Sequence, residues 1–154
     1  MKTDTRWLDL KYGATVGAIV VALIGVLQLP AIFPTTPVGF CRKAFESLAR
    51  GRMGAVGMVD WEQLTAMGIN VGTTYRSMAG DRNRASYQRQ FIESFARGFR
   101  TSGGQMDAFV HWRVAGQQAG QTIVAVDYPA KQRTLLFAVP SDGPRRVVAI
   151  QWAS

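Results

Sequence analysis

Residues 122–152 read TIVAVDYPAKQRTLLFAVPSDGPRRVVAIQW and hold the clearest pattern in the chain. Apolar residues alternate with other types in three runs, Thr122–Tyr128, Thr134–Val139 and Arg146–Trp152, which proline-containing turns separate. A period of two is typical of strands, and short connections join antiparallel neighbours. A fourth run, Met106–Val114, precedes them. The pattern therefore predicts a four-stranded antiparallel meander.

The sequence before these strands has the period of helices. Phe40–Ala49 places its apolar residues on one stripe, and a longer segment from about Asp81 to Arg100 does the same with repeated phenylalanine. Between them, Asp60 is a suitable N-cap for a short helix over Trp61–Met67. Helices followed by strands indicate an α+β domain. We expect about three helices packed on one face of a curved four-stranded antiparallel sheet.

The N-terminal part of the chain has a different composition. No charged side chain occurs from Tyr12 to Cys41. Residues 12–33 are mostly apolar, and a helix of that length, at about 1.5 Å per residue, spans the ~30 Å hydrocarbon core of a bilayer. Prolines follow this stretch and end the helix. The predicted organisation is a basic tail at 1–11, a transmembrane helix at 12–33, a proline-containing linker at 34–39 and a cone-like domain at 40–154.

The alternative for this apolar stretch is a cleaved signal peptide. Asp4 and Asp9 dilute the basic start that signal peptides have, and no small-residue cleavage pattern follows the apolar run. These features favour an uncleaved single-pass anchor. Because a short basic tail before a first span usually stays inside, we expect a cytoplasmic N-terminus and an extracytoplasmic domain.

Small residues recur inside the predicted span at helical spacing. In lipid there is no hydrophobic drive between helices, so close backbone approach over small side chains is a main source of association. We therefore expect this helix to pack against other transmembrane helices of a larger complex. The residues of this small-residue ridge are Gly13, Ala14, Gly17, Ala18, Ala22 and Gly25.

The domain resembles known families in its order of elements. Helices followed by a bent antiparallel sheet that ends in RRVVAIQW (residues 145–152) resemble the cone-shaped nuclear transport factor 2-like superfamily. Residues 59–98 are also loosely similar to MlaC-like phospholipid carriers. Together the resemblances cover residues 40–154 and imply a cone whose interior holds a ligand or, in enzymes, a catalytic base. This chain is shorter than the carriers and has a predicted anchor, which favours a tethered role. The matching positions are Asp60, Trp61, Gly72, Tyr75, Phe91 and Phe95.

The resemblance makes His111, Asp127 and Tyr128 candidates for acid–base chemistry. A general base must face an enclosed cavity. Strand alternation instead places His111 beside Arg113 on the outer side, and Asp127 on the face opposite Tyr128. We therefore interpret Asp127 as an arginine partner or solvated carboxylate, and Asp60 as a helix cap. The single cysteine and single histidine form no metal-ligand pattern, so we expect no metal, no cofactor and no catalysis.

The long predicted helix carries arginines on the face opposite its phenylalanines. Glu93 lies four residues from two of them, so part of this face can be self-neutralised. Beside a bilayer, a basic face suits anionic lipid headgroups or an acidic partner surface. The sequence contains no motif that is typical of helices that bind in a nucleic-acid groove, so we expect no nucleic-acid partner. We call Arg82, Arg89, Arg97 and Arg100 the basic ridge.

Both faces of the predicted sheet contain apolar residues, whereas one helical layer covers only one face. We therefore expect the second face to meet a partner chain or a second copy. The first functional hypothesis is a non-catalytic accessory subunit that stabilises a larger membrane protein complex, photosynthetic or respiratory by analogy. One alternative is a membrane-tethered module that binds a lipid or small ligand. The other is an acid–base enzyme of the cone superfamily.

Overall fold

The computed structural model describes residues 36–154, which form a compact unit of their own. The core cluster of this unit draws on residues between Cys41 and Ile150, so we expect the segment to fold by itself. The predicted tail, transmembrane helix, small-residue ridge and membrane orientation concern residues that lie outside this described part. Within 36–154, no helix combines the length and apolar character needed to cross a bilayer.

Helix α1 begins earlier than its sequence pattern predicts. The Thr36 hydroxyl accepts a hydrogen bond of 3.0 Å from the Gly39 N–H, and Pro37 follows at the first helical position, where its fixed φ suits a helix. Residues 37–39, predicted as the end of the linker, are therefore helical. The α-helices of the described part are α1 (Pro37–Ala49), α2 (Val71–Ser77) and α3 (Asp81–Thr101). Short 3-10 helices cover Met53–Met58, Met106–Ala108 and Pro129–Lys131.

The prediction of a helix over Trp61–Met67 is wrong. Asp60 does cap this segment, because its Oδ1 accepts from the N–H groups of Glu62 and Gln63, but it caps a single turn. The chain then becomes extended, and Leu64 and Ala66 are both buried. The segment forms a strand instead of a helix because the backbone of residues 65–67 hydrogen-bonds to the last part of the chain, along β6.

The sheet has six strands in the order β2-β1-β6-β5-β4-β3 and is mixed, so the prediction of four antiparallel strands is corrected. The four predicted strands are present and pair antiparallel in sequence order. The two additional strands form a tight hairpin, and β1 pairs parallel to β6. The bounds are β1 Thr65–Ala66, β2 Ile69–Asn70, β3 Val110–Gln118, β4 Gln121–Tyr128, β5 Arg133–Pro140 and β6 Ala149–Trp152.

The core lies between the helices and one face of the sheet. Phe45 of α1 is at its centre, and its ring contacts five other aromatic rings. The predicted sidedness of β4 and β5 is confirmed, because alternate residues of both strands belong to the buried cluster. These residues are Val124, Val126, Leu135, Phe137 and Val139.

A bulge changes the predicted alternation in β3. His111 has φ +54°, and the pairing register with β4 shifts between Val110 and Arg113. As a result, Phe109 and Trp112 both reach the Phe45 ring, although strict alternation assigns them to opposite faces. Val114 pairs with the core-facing Val124 and so lies on the predicted face, although it is 51% exposed on this edge strand. Strict alternation fails between Phe109 and Trp112 because the bulge adds one residue to the strand.

Candidate functional site

A cavity of about 290 Å³ lies between α3 and the helix-facing side of the sheet. Aromatic and aliphatic side chains form its floor and sheet-side wall, and it is partly open to solvent. Phe45 is at the floor, while Tyr128, Leu135 and Trp152 line it from three successive strands. It is therefore a largely apolar site that the fold itself constructs.

Small residues form part of the helical wall of the cavity, beside Phe95 and Phe99. Ser94, Gly98 and Ser102 line it at a spacing of four, which places them on one stripe of α3. A Cβ atom built on Gly98 meets no heavy atom within 4 Å, so the space in front of this residue is empty. The cavity exists because this stripe carries little side-chain volume.

The sheet-side wall is held in place by ring stacking. The Tyr128 ring stacks on Phe109 with centroids 4.6 Å apart and planes 13° apart. Tyr128 also stacks on Trp152 at 6.4 Å. Such aromatic pairs add specific geometry to area burial. These rings therefore form a fixed wall for a ligand.

Polar groups at the cavity are uncharged. Its lining includes the hydroxyl-bearing residues Ser94, Ser102 and Tyr128, and no Asp, Glu, Lys, Arg or His of residues 36–154 belongs to the lining. The two serines are exposed, so their hydroxyls are at the rim. The site can bury a hydrocarbon segment and donate or accept a hydrogen bond at its opening.

Two of the three acid–base candidates lie outside the cavity. Asp127 and His111 do not line the cavity, whereas Tyr128 does. The His111 side chain is 75% exposed and its Nδ1 is 3.5 Å from Asp127 Oδ2. As predicted from strand alternation, His111 points outward beside Arg113. An acid–base reaction at His111 or Asp127 would therefore take place outside the cavity.

Asp127 is an arginine partner, which is one of the two interpretations that the sequence allowed. Arg113 donates to its Oδ2 at 2.9 Å, and the Thr134 hydroxyl donates to its Oδ1 at 3.0 Å. The Arg113 hydrogen bond is the largest of the causes that lower the pKa of Asp127, and the Thr134 hydrogen bond is the next. The carboxylate is thus held ionised on the outer face of the sheet.

The basic ridge lies on the exposed side of α3. All four of its arginines are exposed, while Ile92 and Ala96 of the same helix are buried. In the described part of the chain, no salt bridge joins Glu93 to Arg89 or Arg97, so the self-neutralisation considered from the sequence does not form. The ridge therefore presents its positive charge to solvent.

The outer face of the sheet carries small and medium apolar residues. Ile123 and Leu136 are partly exposed, whereas Ala125 and Ala138 are buried. The prediction that a partner or second copy covers this face stays a prediction. Within residues 36–154 no group of three or more His, Cys, Asp or Glu side chains is placed to hold a metal ion.

Comparison with known proteins does not assign the chain to a family. No protein-family model, no curated protein and no solved structure matches the chain. The α+β class rests on the structure, whereas the resemblance to the nuclear transport factor 2-like superfamily and to phospholipid carriers stays a prediction.

The small residues that leave space for the cavity were not predicted from the sequence. A stripe of Ser94, Gly98 and Ser102 at helical spacing was visible in the sequence. Its position against the sheet was not, because it depends on how α3 packs. Met67, at the cavity rim, was assigned to the wrong element and could not be placed.

Proposed function

We propose that this protein is a non-catalytic, membrane-associated module that binds one hydrocarbon chain of a lipid in the cavity beside α3. The observation that carries the proposal is the apolar cavity itself, which Phe45, Leu135 and Trp152 line. The uncharged stretch from Tyr12 to Cys41 supports association with a membrane. This is the ligand-binding alternative of the sequence analysis.

The size of the cavity favours a single chain. An apolar cavity of about 150 Å³ is enough for benzene, and ordinary ligand pockets begin at roughly 300 Å³. At about 290 Å³, this cavity has room for a segment of one chain but not for a bulky or two-chain ligand. An uncharged lining also favours hydrocarbon, since a buried charge without a partner is costly.

Binding of a fluorescent fatty acid tests the proposal. We expect residues 36–154 to bind cis-parinaric acid saturably, with a rise in its fluorescence. Gly98→Leu should weaken binding at least about tenfold, because its side chain fills the empty space in front of Gly98. Ala85→Leu is the matched control, since it adds the same side chain to an exposed position of α3.

Two outcomes would contradict this proposal. One is a folded wild-type domain that shows no saturable binding of cis-parinaric acid. The other is equal binding by Gly98→Leu and Ala85→Leu when circular dichroism shows both variants folded. Either result means that the hydrocarbon chain does not occupy the cavity.

A second candidate function is that of an accessory subunit in a larger membrane complex, the first hypothesis from the sequence. The specific observation in its favour is the basic ridge, whose arginines are exposed and form no salt bridge with Glu93. Exposed charges of one sign steer association with an acidic partner surface. The predicted span at 12–33 would supply the second contact.

Purification of the full chain from its native membrane distinguishes the two functions. If the chain is an accessory subunit, native mass measurement should show a complex larger than the monomer. Arg89→Glu with Arg97→Glu should lower recovery of that complex, whereas Gly98→Leu should leave it unchanged. A chain that runs only as a monomer or homo-oligomer contradicts this second candidate.

A further inference from the structure

The turn that joins β1 to β2 has an unusual residue. Met67 and Gly68 are its two central residues, with φ values of +51° and +83°. Two-residue turns with positive φ at both positions favour Asn, Asp or Gly, because a larger side chain crowds the left-handed region. A methionine at the first position is conformationally unfavourable for this type of turn. Its side chain therefore requires another explanation.

Met67 lines the cavity and is also 40% exposed. Ile69, which follows the turn, is 66% exposed. Four large apolar side chains of residues 36–154 are at least 40% exposed, and two of them, Met67 and Ile69, belong to this one hairpin. The turn is firmly held, because the Met67 N–H donates to the Ile150 carbonyl at 2.7 Å. It is thus a fixed apolar tip at the cavity rim.

One basic side chain lies at the same opening, and a second is two residues from it in the chain. Trp152 lines the cavity, and the Arg133 guanidinium lies 4.7 Å from the centroid of its ring. Arg133 and Lys131 are both exposed. A cation stacked on an aromatic ring at the edge of an apolar surface is the arrangement that side chains adopt at a membrane interface. Residues 36–154 carry 15 Lys+Arg against 8 Asp+Glu, which adds long-range attraction to an anionic surface.

We infer that the opening of the cavity docks on an anionic phospholipid bilayer. Met67 and Ile69 enter the headgroup region, and Lys131 and Arg133 bind lipid phosphates beside them. The inference rests on the proposed function in one respect, because docking gives a lipid chain its route from the bilayer into the cavity. Binding then combines buried apolar area with electrostatic attraction, and each cation contributes roughly a fivefold gain in affinity.

Vesicle flotation with residues 36–154 tests the docking surface. We expect binding to vesicles that contain phosphatidylglycerol, little binding to pure phosphatidylcholine, and a decrease as salt rises. Met67→Asn is the informative variant. Because Asn-Gly is a preferred pair in this turn, the variant should fold at least as well as wild type and yet bind vesicles several-fold more weakly.

Two further variants make the test specific. Ile69→Thr keeps a β-branched side chain and should also weaken vesicle binding several-fold. Val114→Thr is the control, because Val114 is similarly exposed but belongs to β3, at the opposite edge of the sheet. We expect this control to bind vesicles like wild type.

A fluorescence measurement extends the test to the full chain in a bilayer. Ile69→Cys, labelled with an environment-sensitive fluorophore, should shift to the blue in phosphatidylglycerol vesicles relative to phosphatidylcholine vesicles. Val114→Cys should show no such difference. The natural Cys41 is buried and should remain unlabelled under native conditions.

The outcomes separate this inference from the proposed function. If wild type binds cis-parinaric acid but not anionic vesicles, the docking surface is overturned and the proposed function stands. If Met67-dependent vesicle binding occurs without saturable binding of cis-parinaric acid, the docking surface stands and the proposed function falls. Equal vesicle binding by Met67→Asn and wild type also overturns the docking surface.

Discussion

The space between the helices and the sheet has a filled half and an open half. In the filled half, the Phe45 ring lies within 6.2 Å, between centroids, of five rings from α3, β3, β5 and the segment before β3. In the open half, Ser94, Gly98 and Ser102 face the wall that contains Trp152 and leave a cavity. One helix borders both halves.

The difference between the halves arises from two neighbouring stripes of residues on α3. Residues 91, 95 and 99 are all phenylalanine, and each belongs to the core or packs against it. Residues 94, 98 and 102 are serine, glycine and serine. Protein interiors are otherwise close-packed, so a void next to a dense aromatic cluster requires small residues at defined positions. Phe45, Phe95 and Phe99 belong to the aromatic cluster and also line the cavity, so only the small residues offer a change in binding that leaves this cluster intact.

The largest expected effect concerns Cys41, in the filled half. Burial raises the pKa of its thiol from the ordinary value of 9.0 to about 12. The thiolate is the reactive form, so a rise of this size lowers its fraction at pH 8 by a factor of roughly a thousand. We expect Cys41 to react with Ellman's reagent far more slowly in the native protein than in urea. Fast native reaction would mean that the filled half opens readily.

A deletion at the centre of the filled half should cost several kcal/mol. Phe45→Ala removes the ring that all five neighbours contact, and Phe→Ala changes in cores cost about 3–5 kcal/mol. Urea unfolding of residues 36–154 measures the free energy of unfolding. Phe40→Ala, at a partly buried position of the same helix, is the control and should cost less. Equal losses would show that the aromatic cluster is not the centre of stability.

A substitution in the open half should stabilise the protein. Gly98 is in the interior of α3, where alanine is more favourable by about 0.5–1 kcal/mol, and there is space for its Cβ. Thermal unfolding should therefore show a higher midpoint for Gly98→Ala. Gly103→Ala is the contrasting variant, because Gly103 has φ +73° and alanine is strained there. A loss of stability in Gly98→Ala would mean that the space is occupied.

The smallest effect belongs to Asp127, outside both halves. Its pKa is lowered below the ordinary value of 3.8, chiefly by the Arg113 hydrogen bond, so its stabilising contribution is present above that pH. The contribution is lost as the pH falls through the lowered value. Titration of the carboxyl carbon by NMR should show a higher pKa in Arg113→Ala. An unchanged pKa in that variant would contradict this assignment of the cause.

Much of the fold was predictable from local pattern. The positions of β4 and β5 and of helices α1 and α3 follow from apolar periodicity. The strand predicted over Met106–Val114 lies further along the chain, as β3, because Met106–Ala108 forms a 3-10 helix. The hairpin of β1 and β2 was not predictable, because its strands have two residues each and depend on β6, more than 80 residues later. The cavity was missed for a similar reason, since it arises where α3 crosses the sheet.

The bulged strand β3 has a consequence for how copies of this protein behave together. It forms one edge of the sheet, and its register is irregular at two places, near His111 and near Gly116. A regular edge offers a row of free backbone groups onto which another chain can add a strand. Irregular spacing interrupts that row, and the charged Arg113 stands between the two irregularities. The irregular edge therefore disfavours strand pairing between molecules at high concentration, and with it the growth of a continuous intermolecular sheet.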